Sequence, residues 1–128
     1  MTHNDFLKTI NRLNNLTEKG FGNVHKDENL NNQKTALQNR YEEFRLCCEW
    51  IKKFGVEPSE KRLNKIPQTY SSYYLKHLVE KWSGQYISNG AFIAAVIYLN
   101  IPYRRIYGTP DISVTLYLKE KNLVAETY

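Results

Sequence analysis

The chain has 128 residues, 41% of them hydrophobic and 24% charged, with a formal net charge of +5. That is enough apolar residues for one domain with one core. The longest apolar run, AFIAAVIYL, is far too short to cross a bilayer, and the opening MTHNDFLKTINRLNN lacks the basic-then-apolar layout of a secretory signal, so a cytoplasmic protein without a membrane partner is expected.

A first helix is expected over residues 4–17, capped by Thr2 or Asn4, with Phe6, Ile10, Leu13 and Thr17 on one stripe. Gly20 and Gly22 then break the chain. Residues 1–20 therefore form an N-terminal helical arm suited to packing on another copy, and the polar residues 21–30 a loop. A long helix is expected from Asn31 to Phe54, where Leu37, Tyr41, Phe44, Cys48 and Ile51 make a heptad-like seam. That seam serves the core or, alternatively, a homodimer through residues 31–54. Gly55 suits the left-handed position that follows a helix. Cys47 and Cys48 are the only cysteines; adjacent on a helix they diverge by about 100° and do not bridge. With His3, His25 and His77 the only histidines, no metal site is expected.

Residues 56–68 read as a linker, because Pro58 and Pro67 push their predecessors toward extended conformations, with room for one turn at Ser59–Leu63. A third helix runs from Ser72 to Trp82, capped by Ser71 or Ser72, with Leu75, Leu78, Val79 and Trp82 on one stripe and Gly84 as its stop. A fourth begins after Ser88 or Asn89, turns Phe92, Ile93, Val96 and Leu99 one way, and ends at Asn100 and Pro102. Two strands follow, Tyr103–Tyr107 and Ile112–Leu118, around the turn GTPD; the tail KEKNLVAETY extends the second strand or frays.

The fold class is therefore α+β and mostly helical: four helices, with a winged-helix-like helix–turn–helix plus a C-terminal β-hairpin in a single domain over residues 31–128. The five or so residues between Trp82 and Ser88 are more than such a turn usually has.

Charge is unevenly spread. Residues 60–105 hold seven Lys/Arg against two Asp/Glu, whereas residues 1–59 hold nine against eight. A basic cluster is the electrostatic footprint of nucleic-acid binding, although it is also what a solvated lysine face looks like. Ten tyrosines are unusual, and Tyr73, Tyr74 and Tyr103 are the ones expected at the surface, where tyrosine suits stacked bases and protein hot spots alike. The nucleic-acid or partner-binding candidates are Tyr73, Tyr74, Lys76, Lys81, Asn89, Arg104 and Arg105. At the Ser88-Asn89-Gly90 helix start, backbone N–H groups can hold a phosphate, or Asn89 can reach an adenine edge; plain N-capping is the alternative. Ser72 has only His77 nearby as a base, five residues on, and the pairs Asp27–Glu28 and Glu42–Glu43 read as solvated surface. No catalytic residue and no cofactor are expected.

Ser71, Ser72, Tyr73, Leu75, Lys76 and His77, followed by Tyr86, Ser88, Asn89, Gly90, Phe92 and Ile93, resemble a two-helix segment of small phage and plasmid proteins. The resemblance covers residues 71–95 and implies a mobile-element origin more than an activity. Two functions follow. One is a non-enzymatic nucleic-acid-binding protein, DNA being the preferred ligand. The other is a small phage-type inhibitor of a host defence complex, anti-CRISPR-like, that binds a nucleic-acid-handling protein. On the first wing strand, Arg105 is expected on the solvent face between Tyr103 and Tyr107, with Arg104 beside a core-facing Ile106 and reaching an acid such as Glu80.

Overall fold

The structure is a computed structural model that describes residues 2–13, 15–22, 30–56 and 68–118. The turn at Ser59–Leu63, most of the 21–30 loop and 56–68 linker, and the tail from residue 119 lie outside the described residues. The protein is α+β, with five helices and small antiparallel sheets among the described residues. No helix there is long and apolar enough to cross a membrane.

Helix α1 spans His3–Asn11. Thr2 and Asp5 close its first turn reciprocally: the Thr2 hydroxyl accepts from the Asp5 N–H, and the Asp5 carboxylate accepts from the Thr2 N–H. The helix stops earlier than expected because Leu16–Thr17 (β1) turns back on Gly20–Phe21 (β2) as a two-stranded hairpin. Gly20 makes that return at φ +113°. Nor is α1 a free arm. Phe6 and Ile10 are buried, and the Phe6 ring lies 4.8 Å from that of Phe44 in this chain's own core.

The long helix expected over 31–54 is two: α2, Leu30–Gln38, and α3, Tyr41–Phe54. Arg40 leaves helical geometry at φ −104°, ψ 27°. The apolar periodicity runs straight across this break, which hides it in the sequence. Leu37, Phe44, Cys48 and Ile51 are all buried within the chain, so that seam is not presented to a second copy. Gly55 is extended rather than left-handed; a Cβ there would come within 2.8 Å of the Ile51 carbonyl and 2.9 Å of Leu116, so close packing is what requires glycine.

Strand β3, Gly55–Val56, follows α3 directly, and β4, Gln68–Ser71, leads into α4, Ser72–Ser83. Ser71 caps α4 by accepting from the Tyr74 N–H, and Gly84 ends it at φ +71°. Helix α5, Asn89–Tyr98, is capped by Ser88, and Asn100 takes the left-handed conformation after it. Every residue of α5 from Asn89 to Val96 is buried, as an all-round apolar helix must be. It is the central rod, packed by α1, α3, α4 and β2.

Strands β5, Tyr103–Arg105, and β6, Ile112–Leu118, form the expected hairpin, although the first strand ends two residues early. Strand β6 is the middle of the sheet. β4 lies along one edge, and β3 and β5 share the other. Ile112, Val114 and Leu116 close over the helices.

Candidate nucleic-acid interface

The seven candidate residues fall into three groups. Arg104 and Arg105 are exposed on β5. Paired residues in a sheet share a face. Arg105 pairs with Ile112 and Tyr103 with Val114, both buried, while Arg104 pairs with Ser113. Arg105 therefore stands on the core side of the strand, at its edge, with its guanidinium 4.4 Å from the centre of the Phe21 ring. Arg104 is the arginine on the outer face. This reverses the expected register. Ile106 lies beyond the end of the strand, so it does not set the facing. The hairpin tip is fixed from the N-terminal side, where the Phe21 N–H donates to the Pro110 carbonyl at 2.9 Å. Tyr103 is 38% exposed and Tyr107 fully exposed.

Tyr73, Tyr74, Lys76 and Lys81 lie on α4. Tyr73 is exposed, its ring edge-on to His77 at 4.6 Å, whereas Tyr74 is half-buried and stacked on Tyr70 at 5.7 Å. Lys81 is exposed in the last turn. Lys76 is only 6% exposed, contrary to the expectation of a contact residue. Its ammonium lies 5.1 Å from the Tyr73 ring and 5.3 Å from the Tyr86 ring, and 3.5 Å from Glu80. Two aromatic rings and a carboxylate at hand offset the desolvation of that charge. Glu80 belongs to this network and not to Arg104. It also takes His77 Nδ1 at 2.6 Å and the Ile87 N–H at 3.0 Å. Burial would raise the Glu80 carboxyl, but the Ile87 N–H, Lys76 and His77 outweigh it and hold the group below its ordinary range.

Asn89 is the third group, and it is also buried. Its amide donates to the Lys19 carbonyl at 3.0 Å and to Asp111 at 2.9 Å, while its Oδ1, buried, has no hydrogen-bond partner. The turn between β1 and β2 sits on the start of α5. The Gly90 N–H donates to the Glu18 carbonyl at 3.0 Å, the Ser88 N–H to Glu43 at 2.6 Å, and the Ala91 N–H to the Ser88 hydroxyl. A helix start whose N–H groups are consumed inside the chain is closed to a phosphate, and an Asn under that turn cannot reach a base edge.

Arg40, Glu43, Glu80 and Tyr86 were not among the candidates. Arg40 bridges Glu18 and Glu43 at 3.1 and 2.9 Å and lies 5.8 Å from the Tyr86 ring. Tyr86, 63% exposed, thus projects from a loop pinned on both sides. Glu43 stands 45 residues from the Ser88 N–H it holds, and no local pattern reports that contact.

Compared with protein-family models, with curated proteins and with solved structures, the chain gives no match.

Proposed function

We propose that the protein is a non-enzymatic nucleic-acid-binding protein of a phage or other mobile element that engages duplex DNA through the β5–β6 hairpin. The observation that carries this is the hairpin itself. Arg104 and Arg105 are exposed on opposite faces of one edge strand, neither is ion-paired with a carboxylate among the described residues, and Tyr103 and Tyr107 flank them. Two diverging guanidiniums suit bidentate contacts to phosphates on either side of a blade-like strand.

The order of elements supports a winged-helix-like arrangement. Helix α3, strands β3 and β4, helices α4 and α5 and the hairpin β5–β6 follow one another, with β6 between β4 and β5. Buried α5 departs from a base-reading helix, so recognition by this protein rests on backbone charge and shape. Anisotropy with a labelled duplex tests the reading. Affinity should fall steeply with salt, and Arg104→Ala should weaken binding by about 1–3 kcal/mol. Binding no stronger than that of a charge-matched control protein removes it.

One observation favours the second reading, a protein-binding inhibitor of a nucleic-acid-handling host complex. Tyr73 and Tyr86 are 54% and 63% exposed on one side of α4, flanking a buried ammonium, a composition typical of protein hot spots. A stoichiometric partner that survives nuclease treatment and is lost with Tyr73→Ala or Tyr86→Ala decides for it.

A further inference from the structure

Among the described residues, the carboxylates Glu18, Glu42, Glu43, Glu49 and Glu80 are all taken up by Arg40, Arg45, Lys76 and His77. The first half of the chain is close to neutral by count. Among the described residues, that half nevertheless carries exposed cations with no ion pair to a described carboxylate. Two of these, Lys8 on α1 and Arg12 at its C-cap, are exposed one helical turn apart. With Asn11, Thr9, Asp5 and Tyr98 they line an open groove of about 510 Å³. Asp5 is already engaged, since its carboxylate accepts from the Thr2 N–H at 2.9 Å and from the Tyr98 hydroxyl at 3.4 Å.

This groove is joined to the hairpin by a short path. Leu16 lies four positions on from Arg12, Leu16 pairs with Phe21, and the Phe21 ring carries the Arg105 guanidinium. Four residues reach at most about 15 Å, so α1 and β5 lie within roughly 25–30 Å of each other, the length of about seven to nine base pairs. Lys19, exposed on the turn between β1 and β2, stands along the same path.

We infer that α1 is a second contact for the same duplex DNA, with Lys8 and Arg12 neutralising backbone phosphates while the hairpin engages the helix further along. The inference rests on the nucleic-acid reading above. It assigns the N-terminal helix a role in the footprint, and it makes the β1–β2 hairpin the rigid spacer between the two contacts. The occupant follows from charge. A polyanion with regularly spaced phosphates can be met at two points within one turn of duplex, and two lost phosphate contacts have a measurable signature.

The test is anisotropy of a labelled 20-base-pair duplex against the full chain over a salt series. The variants are Lys8→Gln/Arg12→Gln, Arg104→Ala, and Lys52→Gln/Lys53→Gln. The last pair removes the same charge from the end of α3. Thermal melting checks that each variant folds. The expected result is a loss of 10-fold or more in affinity for the α1 pair and a salt slope smaller by about 1.8, with less than 2-fold change for the α3 pair. If the α1 and α3 pairs behave alike while Arg104→Ala weakens binding, α1 lies outside the footprint and the hairpin reading stands alone. If the unmodified protein does not bind duplex DNA, the nucleic-acid reading fails and takes this inference with it. If an equal-length single strand binds more tightly and is the ligand sensitive to Lys8 and Arg12, duplex recognition by α1 is overturned.

Discussion

Replacing Gly90 with alanine separates two accounts of the start of α5 by the sign of one measurement. Judged by helix propensity alone, Gly90→Ala in the first turn of a helix is stabilising, by up to about 1 kcal/mol. The structure requires the opposite. A Cβ at Gly90 would stand 1.9 Å from the Thr17 carbonyl oxygen, 2.8 Å from its carbon and 3.0 Å from the Glu18 Cα, all backbone atoms. The turn between β1 and β2 would have to retreat by about 1.5 Å to restore normal contact, an overpacking cost of about 1–3 kcal/mol. That retreat breaks the Gly90 N–H bond to Glu18 and the Asn89 bond to Lys19, each worth about 1 kcal/mol. After subtracting the propensity gain, a net loss of about 2–4 kcal/mol remains, or about 7–15 °C in Tm for a chain of this size. Urea unfolding followed by tryptophan fluorescence, with Trp50 buried and Trp82 partly exposed, measures it. Gly84→Ala is the control. Its φ is +71° and no atom lies within 4 Å of the added Cβ, so it should cost only the conformational penalty of about 1–2 kcal/mol. If Gly90→Ala is as stable as the parent, or more so, the N-terminal hairpin does not seal α5 and the argument against an anion site there collapses.

The two wing arginines should differ in stability. Arg105→Ala loses the contact with Phe21 and should cost about 0.5–1 kcal/mol, whereas Arg104→Ala should stay within about 0.5 kcal/mol; equal losses in urea titrations would contradict the register. The depressed carboxyl of Glu80 contributes stability that is present above its unfolded value of about 4.5 and lost as pH falls through the lower folded value. The stability difference between the parent and Glu80→Gln should therefore be constant near pH 7 and shrink below about pH 4.5, and a difference that grows on acidification would overturn the assignment. Burial lifts the Cys47 thiol well above its ordinary value and Cys48 to about 12. Neither should react with a disulfide reagent at pH 8 until the protein is unfolded, and rapid labelling of the native protein would show that the α3 core is open.

Local signals carried the elements whose ends are set by a single residue. Ser71, Gly84, Ser88 and Asn100 are where α4 and α5 begin and end, because capping and left-handed geometry depend on neighbours a few positions away. Strand β4 was illegible for the opposite reason. Gln68–Ser71 has no alternating apolar pattern and is a strand because Ser113–Leu116 pairs with it. The division between α2 and α3 carries neither Gly nor Pro, and the guanidinium that spans it finds one of its partners, Glu18, 22 residues back. The candidate residues divide in the same way. Tyr73 is exposed as its surroundings in sequence suggest, whereas the two wing arginines exchange the faces expected of them. Lys76 and Asn89 have the right chemistry but are covered, one by Tyr86 ten residues on and the other by a turn 70 residues away. Arg105 faces opposite to the sequence expectation because Ile106, whose apolar side chain suggests the register, lies beyond the end of the strand.

Strand β6 has a consequence for the order of events during synthesis. Its three pairing partners, β3, β4 and β5, are all made before it, and none of them pairs with another. A nascent chain that has not yet released Ile112–Leu118 thus carries three short strands with open edges, while its helices can already collapse. The last strand to emerge closes all three at once, which makes completion of the sheet a single late step. Until then the chain offers edges to any other strand in reach, so a chain truncated between Arg105 and Ile112 would be a helical globule prone to association.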